Sequence, residues 1–414
     1  MIIAKRSMIT ARDRVIQTIH HVPPDRIPID FAASRVTGIH GMTYNALSAL
    51  LGIKSEGARI YDVPQMLAAP EQNMITHFKS DVVQLHRLVP APAIGLRIDR
   101  FRKGTLPDGT RAYFPYDYRP QKDSEGNLFV SDEEGVPIYM MPKDGFYFSR
   151  IHNRLGHVES VKEIDDFDFH EFVPGEMAWL RSESKRLRET GFAVLGQFGG
   201  NFFERGNRLF GMEKFMIMLL TEEKMVHHFM ERLTAAAIED FDDYREAVED
   251  RVDIIQLNDD LGSQGGPLIS PDIYTKLVKP YQKRLYQHIR ETTRMHLFLH
   301  SCGGIFEFIP HFIDIGVEIL NPVQYTAKGM DPVRLKKEFG KDLTFWGGGC
   351  DAQKVLQQGT PAEVKKETAY MIDIFCPGGG FVFTQVHNLQ PGTPPENIIA
   401  MFEVIAERND DSTR

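Results

Sequence analysis

The chain has 414 residues, and its 42% of hydrophobic residues is enough for a sizeable folded core. Its net charge of −9 and pI of about 5.9 argue against nucleic acid as the main partner. No apolar run is long enough to span a bilayer, and the opening MIIAKRSMITARDR lacks the apolar core of a signal peptide, so we expect neither a membrane partner nor export. The three cysteines are too few for a disulfide framework, which favours a reducing, cytoplasmic location.

The N-terminal part of the sequence predicts a helix, two strands and a β-rich insertion. Thr10 can cap a short helix that runs to Ile19, and residues 27–31 have the pattern of a short strand. Helical character is predicted for residues 43–79, followed by a strand at 81–85. Between 97 and 149, turn sequences separate short aromatic runs, which is typical of hairpins. We interpret 97–149 as a hairpin-rich insertion or cap.

The C-terminal part alternates apolar strands with helices. Near-continuous apolar strands are predicted at 193–197, 253–257, 296–299, 317–320, 343–346 and 381–384, and helical patterns lie between them, for example at 272–292, 305–315 and 361–375. Such alternation indicates a parallel sheet covered by helices. With the N-terminal strands the total comes near eight. The sequence therefore predicts an α/β fold: a single domain, residues 1–414, built as a (β/α)8 TIM-type barrel with an N-terminal helical extension and a β-rich insertion.

Each predicted strand is apolar along its body and polar at its C-terminal tip. In parallel barrels these tips meet at the face that carries the chemistry. The polar tip residues are Asp259, Asp260, His300, Cys302, Asn321, Gln324, Cys350, Asp351 and His387.

The most specific chemical signal is the run His300-Ser301-Cys302-Gly303-Gly304. Side chains two residues apart at the end of a strand point the same way, so an imidazole and a thiolate share one face. That pair suits zinc. The alternative interpretation is a reduced core cysteine beside a hydrogen-bonded histidine. Cys350, at the end of a second apolar strand, favours the metal.

Two aspartates and several neutral polar residues are further candidates. Asp260 and Asp259 are candidate catalytic groups, and since they alternate along one strand, only one of them can face the pocket. Helix capping is the alternative role for the pair. The candidate substrate-binding residues are Gln197, Gln264, Asn321, Gln324 and His387. For the glutamines, positions in surface loops are the alternative.

Several segments together resemble the uroporphyrinogen decarboxylase superfamily. They are PDRIPID, LNDDLGSQGGPLISPDIY, HSCGGIFEFIPHFIDIGVEILNPVQ, GGGCDAQ and PGGGFVFTQVHNLQPGTPPENI. The superfamily carries both decarboxylases and corrinoid-linked methyltransferases on one barrel, so the fold does not choose between them. The decarboxylases pair an arginine-rich loop with the carboxylates of a tetrapyrrole, whereas the matching segment 31–38 offers Arg35 alone. This departure argues against tetrapyrrole decarboxylation.

The resemblance to the methyltransferase branch implies a zinc site. In that branch a zinc-binding H-x-C is followed by a distant cysteine, which implies His300, Cys302 and Cys350 as ligands, with His387 as a substitute or additional ligand. The implied reaction moves a methyl group between a small methylated substrate, or a thiol, and a corrinoid (cobalamin) carried by a partner protein. The departure at the third ligand means that coenzyme M specificity is not carried over. Family members often pair as dimers, so a homodimer is a further expectation.

Two other classes of function remain open from the sequence. The first is a metal-free lyase that acts on a small carboxylic acid, with Asp81 or Asp260 as its acid/base group. The second is a non-catalytic barrel that binds a corrinoid protein or a small ligand.

Overall fold

A ring of parallel strands forms the centre of the protein, for which a computed structural model describes residues 9–412. The first eight residues, on which the signal-peptide prediction partly depends, lie outside the described residues. Seven parallel strands pair in chain order: β1 (Val82–Leu85), β2 (Ala193–Gly199), β3 (Ile254–Asn258), β4 (His296–His300), β5 (Ile319–Asn321), β6 (Thr344–Trp346) and β7 (Phe381–Val382).

The segment 28–30 closes the sheet between β7 and β1, and we call this closure the seam. Ile29 forms an isolated parallel bridge with Phe383. The Phe383 N–H donates to the Pro28 carbonyl at 2.9 Å, and the Asp81 N–H donates to the Ile29 carbonyl at 2.7 Å. The predicted strand at 27–31 is thus reduced to one bridge, because Pro28 has no N–H to give to a ladder. The α/β barrel predicted from the sequence is confirmed.

Helices cover the outer face of the barrel. The α-helices are Ala11–Ile19, Gly41–Leu50, Gln72–His77, Val161–Asp165, Glu176–Arg188, Phe203–Phe210, Met212–Thr221, Glu223–Val248, Pro271–Leu277, Lys279–Thr292, Ile309–Asp314, Pro332–Phe339, Val355–Gln358, Pro361–Phe375 and Pro395–Ser412, with short 3₁₀ turns at Pro92–Ile94 and Phe306–Phe308. Among the helices of residues 9–412, none is both long enough and apolar enough to cross a bilayer.

The N-terminal helix closes the lower end of the barrel. It begins with a capping box, in which Thr10 and Asp13 each accept a hydrogen bond from the other's backbone N–H. Val15 and Ile19 are buried in the same apolar cluster as the inward-facing side chains of the strands. The helical extension therefore seals the end of the barrel where the strands begin.

Two further sheets lie in the N-terminal part of the chain, and a small hairpin follows β3. One sheet contains Ile39–His40, Ala58–Asp62, Leu67–Ala69, Phe101–Thr105 and Arg111–Pro115; the other contains Gln121–Lys122, Leu128–Ser131, Pro137–Met141 and Ser149–Arg150; the hairpin pairs Gly262–Ser263 with Gly266–Pro267. Strands thus occur within 97–149, but the first sheet also recruits residues from 39–69. The prediction of helix across 43–79 is wrong for 58–69, because Ala58 and Arg59 pair with Ala112 and Tyr113 and this tertiary pairing overrides local preference.

The barrel interior changes from apolar to polar toward the C-terminal ends of the strands. Val82, Leu195, Ile254, Phe298 and Ile319 form the inner apolar cluster together with Trp346. Two residues further along each strand, the inward positions are Gln84, Gln197, Gln256, His300 and Asn321, all of them buried. We call these five residues the polar layer. It forms the floor of the open end of the barrel, which we call the mouth.

Candidate metal centre

His300 and Cys302 meet at the mouth, where β4 ends. The Nε2 atom of His300 lies 3.2 Å from the Sγ atom of Cys302. His300 is buried, and Cys302 is half-buried. The two-residue spacing thus places an imidazole nitrogen and a sulfur side by side.

His387 completes a group of three, which we call the metal group. It lies in the loop after β7, and its ring centroid is 5.5 Å from that of His300. One ligand atom from each of His300, Cys302 and His387 lies within 4.8 Å of the others, and this is the one such group found among the described residues. Burial lowers the pKa of both imidazoles, that of His387 to about 4. Both rings are therefore neutral near pH 7, which is the form that binds metals.

Asn321 fixes the orientation and the tautomer of His300. The Asn321 side-chain N–H donates to the Trp346 carbonyl at 2.8 Å, which identifies that atom as the nitrogen. The Asn321 oxygen is left to accept the Nδ1–H of His300 at 2.6 Å. His300 therefore presents an unprotonated Nε2 toward Cys302. This is the arrangement in which an outer hydrogen bond holds a metal-binding histidine in place.

The loop after β4 is held by two side chains from neighbouring strand ends. The Cys302 N–H donates to Asp260 at 2.7 Å, and the Gly303 N–H donates to Gln324 at 2.8 Å. Gly303 has a φ of 85°, and a Cβ atom there would lie 2.4 Å from the carbonyl carbon of Gly262. Glycine is therefore required at this turn.

Asp260 faces the metal group. Its carboxylate oxygen lies 3.7 Å from His300 Nε2. Burial and the nearby charge of Glu204 raise the pKa of Asp260 to about 6. The carboxyl group can therefore exchange a proton near neutral pH beside the metal group.

Asp259 points away from the metal group and supports a helix. Its carboxylate accepts the N–H groups of Phe202, Phe203 and Glu204 and the side-chain amide of Gln282, at 2.8–3.2 Å. Its oxygens are thus filled at the start of the helix Phe203–Phe210. The prediction of a catalytic role for Asp259 is corrected to a capping role, on a helix other than the one that follows it in the chain.

Cys350 does not join the metal group. Its sulfur lies 3.8 Å from Glu367 on the helix Pro361–Phe375, and burial among carboxylates raises the pKa of its thiol. Its backbone remains close to the mouth, since the Val386 N–H donates to the Cys350 carbonyl at 3.0 Å. The side chain, however, turns outward. Of the two alternatives for the third position, His387 is the one that the structure brings to His300 and Cys302.

The predicted substrate-binding residues separate into three environments. Gln197 lies in the polar layer, where its Oε1 has no partner among the described residues; the same holds for Oε1 of Gln84 and Gln256. Gln324 and Asn321 hold the loop and His300, as described above. Gln264 is exposed and donates to Gln353 at 2.5 Å, so the structure corrects its predicted position in the pocket to one in a surface loop.

A cavity lies beside His387. Its volume is about 280 Å³, and it is lined by His387 together with His40, Gln65, Tyr147, Gln353 and Gln390. The cavity therefore borders one member of the metal group, His387.

Asp81 lies at the opposite end of the barrel from the metal group. It precedes β1 and is fully buried, and its carboxylate accepts hydrogen bonds from Arg14 at 2.6 Å and Arg26 at 2.8 Å. The metal group, in contrast, lies where the strands end. Asp81 therefore cannot act as an acid or base at the mouth, which corrects that alternative.

Four arginines and a tyrosine at the mouth were missed by the sequence reasoning or left without a role. They are Arg35, Arg150, Arg205, Arg208 and Tyr139, and we call them the arginine cluster. They come from the segment after the seam, from the paired strands Pro137–Met141 and Ser149–Arg150, and from the helix Phe203–Phe210. No local motif marks them; the one available signal is the spacing of Glu204 and Arg208, which pair at 2.9 Å one helical turn apart.

Known proteins resemble the chain in sequence and in fold. Residues 127–408 match the family described as uroporphyrinogen decarboxylase (URO-D). The uroporphyrinogen decarboxylase of Pseudoalteromonas translucida is 23% identical over 287 residues, covering 68% of this chain and 76% of that protein. The uroporphyrinogen decarboxylase of Pseudomonas aeruginosa is 21% identical over 301 residues, covering 71% and 81%.

A solved structure extends the likeness in fold to nearly the whole chain. It is a methyltransferase from Methanosarcina mazei, which has a TM-score of 0.61 at 16% identity and covers 96% of this chain and 99% of its own. At that identity the likeness concerns the barrel fold. Because the family match spans more than half of the sequence, the chain belongs to the uroporphyrinogen decarboxylase (URO-D) family.

Proposed function

We propose that this protein is a zinc-dependent methyltransferase, which moves a methyl group between a small methylated substrate, or a thiol, and a corrinoid carried by a partner protein. The observation that carries the proposal is the metal group: two imidazole nitrogens and one sulfur within 4.8 Å of one another at the mouth. Cys302 and His387 are half-buried at the end of the barrel that carries the chemistry in such folds, which suits a reaction with a cofactor delivered by another protein.

The donor set fits zinc. Nitrogen and sulfur donors are those that zinc prefers, and three protein ligands leave one position for a substrate atom. Asn321 already holds His300 with Nε2 as the acceptor. Zinc bound by His300, Cys302 and His387 would act as a Lewis acid on the oxygen, nitrogen or sulfur atom that carries or receives the methyl group.

The residues around the metal group can hold or transfer protons and can form hydrogen bonds to a substrate. Burial and the charges of Asp260 and Glu204 raise the pKa of the Cys302 thiol, so its proton leaves when a metal binds rather than before. Asp260 can give a proton to the atom that loses the methyl group, or take one from a thiol. The unpartnered amide oxygens of Gln84, Gln197 and Gln256 offer acceptors for a substrate that reaches the polar layer.

The reaction balances without an additional oxidant or reductant. In the demethylating direction, the electron pair of a cobalt(I) corrinoid forms the new bond to the methyl carbon. The bond between that carbon and its heteroatom breaks, and the heteroatom keeps the bonding pair and takes a proton. In the opposite direction a thiolate supplies the electron pair and the methyl–cobalt bond breaks.

A second candidate is a metal-free lyase that acts on a small carboxylic acid. The names of the curated relatives favour it, and so does Asp260, whose pKa of about 6 is suitable for an acid or base. A metal-free lyase would not need His300, Cys302 and His387 to lie so close together. For that reason the lyase is the second candidate.

The metal content of single variants tests the zinc site. Wild-type protein and Cys350→Ala are expected to bind about one zinc per chain, and Cys302→Ala to lose tight binding, because a three-ligand site cannot spare its sulfur. Zinc is measured by elemental analysis after dialysis against a weak chelator. Cys350→Ala is the matched control, since it removes a buried thiol outside the metal group. Loss of zinc from Cys350→Ala, or no zinc in the wild type, would contradict the proposed site.

A transfer assay tests the reaction. The zinc-loaded protein is incubated with cob(I)alamin and a pool of methoxybenzoates, methylamines and betaines, and separately with methylcobalamin and a pool of thiols. Methylcobalamin should form from the first mixture, or disappear in the second, as followed by absorbance. No transfer in either direction, together with release of carbon dioxide from a small acid, would favour the lyase instead.

A further inference from the structure

Two members of the arginine cluster connect it to the metal group: Arg208, through Glu204, and Arg35. Arg208 pairs with Glu204, whose charge acts on both Asp260 and Cys302. On the other side, burial lowers the pKa of His300 and the charge of Arg35 lowers it further. The cluster and the metal group therefore share one electrostatic environment at the mouth.

Three of the four arginines have carboxylate partners. Arg35 pairs with Asp62, Arg205 with Glu171 and Arg208 with Glu204. Arg87, which also touches Glu171, has Glu176 as a further partner at 3.1 Å. These pairs include neither Arg150 nor Asp260.

Arg150 has no acidic partner within residues 9–412, over which ion pairs are described. Its guanidinium donates to the Tyr139 hydroxyl at 3.0 Å and to the His152 carbonyl at 3.4 Å. Burial and the charges of Arg208 and Arg205 lower the pKa of Arg150. The Tyr139 ring, whose centroid lies 4.9 Å from the guanidinium carbon of Arg150, stabilises part of this charge. An anion that joined the half-buried guanidinium would stabilise it further.

Two other donors of the cluster lack an acceptor. The Nε of Arg205 is buried without a hydrogen-bond partner in the described part of the chain. The Tyr139 oxygen already accepts from Arg150, so its own O–H is left to donate. Arg150, Tyr139 and Arg205 thus present donors without enough acceptors.

We propose that the substrate carries a carboxylate, which binds to Arg150 and the Tyr139 hydroxyl while the methyl-bearing atom is directed to the metal group. This inference rests on the proposed methyl transfer for the role of the metal, but the carboxylate site is defined by its own residues. A planar guanidinium matches a carboxylate in shape and charge, and such bonds are stronger than neutral ones. The substrate class is therefore a methylated carboxylic acid, in preference to a methylated amine without an acidic group or a neutral ether.

Binding of matched acids and amides tests the carboxylate site. The probes are acetate, benzoate and 4-methoxybenzoate, each compared with its amide by calorimetry. At least one acid is expected to bind saturably to wild-type protein, with its amide about ten-fold weaker or more. Arg150→Gln should weaken binding of the acid by about ten-fold or more and leave the amide unchanged.

Two controls keep the test decisive. Arg154→Gln removes an exposed arginine four residues away, which pairs with Asp132, and should bind the acids as the wild type does. If Arg150→Gln does not fold by circular dichroism, Tyr139→Phe removes the second donor and should weaken acid binding several-fold. No saturable binding of any acid, equal binding of acid and amide, or equal effects of Arg150→Gln and Arg154→Gln would overturn the proposal.

The same titration with metal-free protein separates this inference from the proposed function. Suppose that the protein fails to take up zinc but that the acids still bind to Arg150 in chelator-treated protein. The carboxylate site is then supported and the proposed zinc-dependent methyl transfer is rejected. If zinc binds and methyl transfer occurs but the acids and amides bind with equal affinity, methyl transfer is supported and the carboxylate site is rejected.

Discussion

Asn321 is the residue on which the orientation of the metal group depends most. Replacing it by alanine removes the acceptor for the Nδ1–H of His300, so the ring can rotate or change tautomer. We expect Asn321→Ala to weaken zinc binding by about 10- to 100-fold, measured by competition with a chelator of known affinity. Gln264→Ala, in an exposed loop, is the control and should bind zinc as the wild type does. Equal affinities of Asn321→Ala and wild type would show that the histidine needs no outer support.

At the residue scale, the sequence could predict neighbours on one strand but not partners from distant segments. His300 and Cys302 were recognisable because their two-residue spacing has a geometric meaning. The choice between Cys350 and His387 depended on which way a side chain turns after a glycine run, and the pattern carries no information on that. The position of Arg150 could not be predicted either, because it is set by the pairing of the strand Ser149–Arg150 with Pro137–Met141.

At the scale of elements, the side chain of Asp259 connects two of the helices that cover the barrel. It caps the helix Phe203–Phe210 and holds Gln282 of the helix Lys279–Thr292. Asparagine would turn an NH2 group toward several of these donors. We expect Asp259→Asn to lower the free energy of unfolding by about 2 kcal/mol, measured by urea denaturation. Ser270→Ala removes an exposed cap that accepts one N–H and should cost about 1 kcal/mol; a smaller loss for Asp259→Asn than for Ser270→Ala would contradict the capping role.

A hydrogen bond between two other elements should make the stability of the fold depend on pH. His170 precedes the helix Glu176–Arg188 and bonds to Asp240 of the helix Glu223–Val248 at 2.9 Å. Burial by itself would lower the pKa of His170, but the hydrogen bond to Asp240 and the charges of Asp240, Asp168 and Glu239 raise it. A raised pKa means that the folded state holds the proton more tightly than the unfolded chain. The resulting stability is fully present below the unfolded pKa of about 6.5 and is lost as the pH rises through the folded value.

His170→Gln tests this contact. The variant should lower the free energy of unfolding by a few tenths of a kcal/mol more at about pH 5.5 than at about pH 8.5, a small difference because the ring is partly exposed and screened by solvent. Urea denaturation at the two pH values measures it. A loss that is equal at both would mean that the proton of His170 makes no contribution to stability.

The elements themselves were largely predictable where local pattern and burial agree. The strands ending at Asn258 and His300 are near-continuous apolar runs that are buried along most of their length. The helix Pro361–Phe375 has both a Pro start and a capping box. The strand Ala58–Asp62 was missed because it is stabilised by pairing with Arg111–Pro115, fifty residues onward. Local sequence cannot express such a pairing.

At the scale of the whole molecule, the seam depends on a buried charge network. Asp81 accepts from Arg14, Arg26 and the Ile29 N–H, at 2.6–2.9 Å. Asp81→Asn leaves buried guanidinium groups without their shared carboxylate, and we expect it to lower the free energy of unfolding by about 3 kcal/mol while zinc content stays the same. Asp25→Asn is the control, because that residue also pairs with Arg14 but is partly exposed; it should cost less than about 1 kcal/mol. Loss of zinc or activity in Asp81→Asn at unchanged stability would instead place Asp81 in the chemistry.

The ring has a further consequence, which follows from where the members of the metal group lie along the chain. His300 and Cys302 end the fourth strand, whereas His387 follows the seventh, close to the seam. An ion bound by all three would link two parts of the barrel that are distant along the chain. A ligand that binds only the native form stabilises that form by mass action. If that ion is zinc, as we propose, the metal-free protein should unfold at a lower temperature and be cleaved faster by proteases than the loaded form.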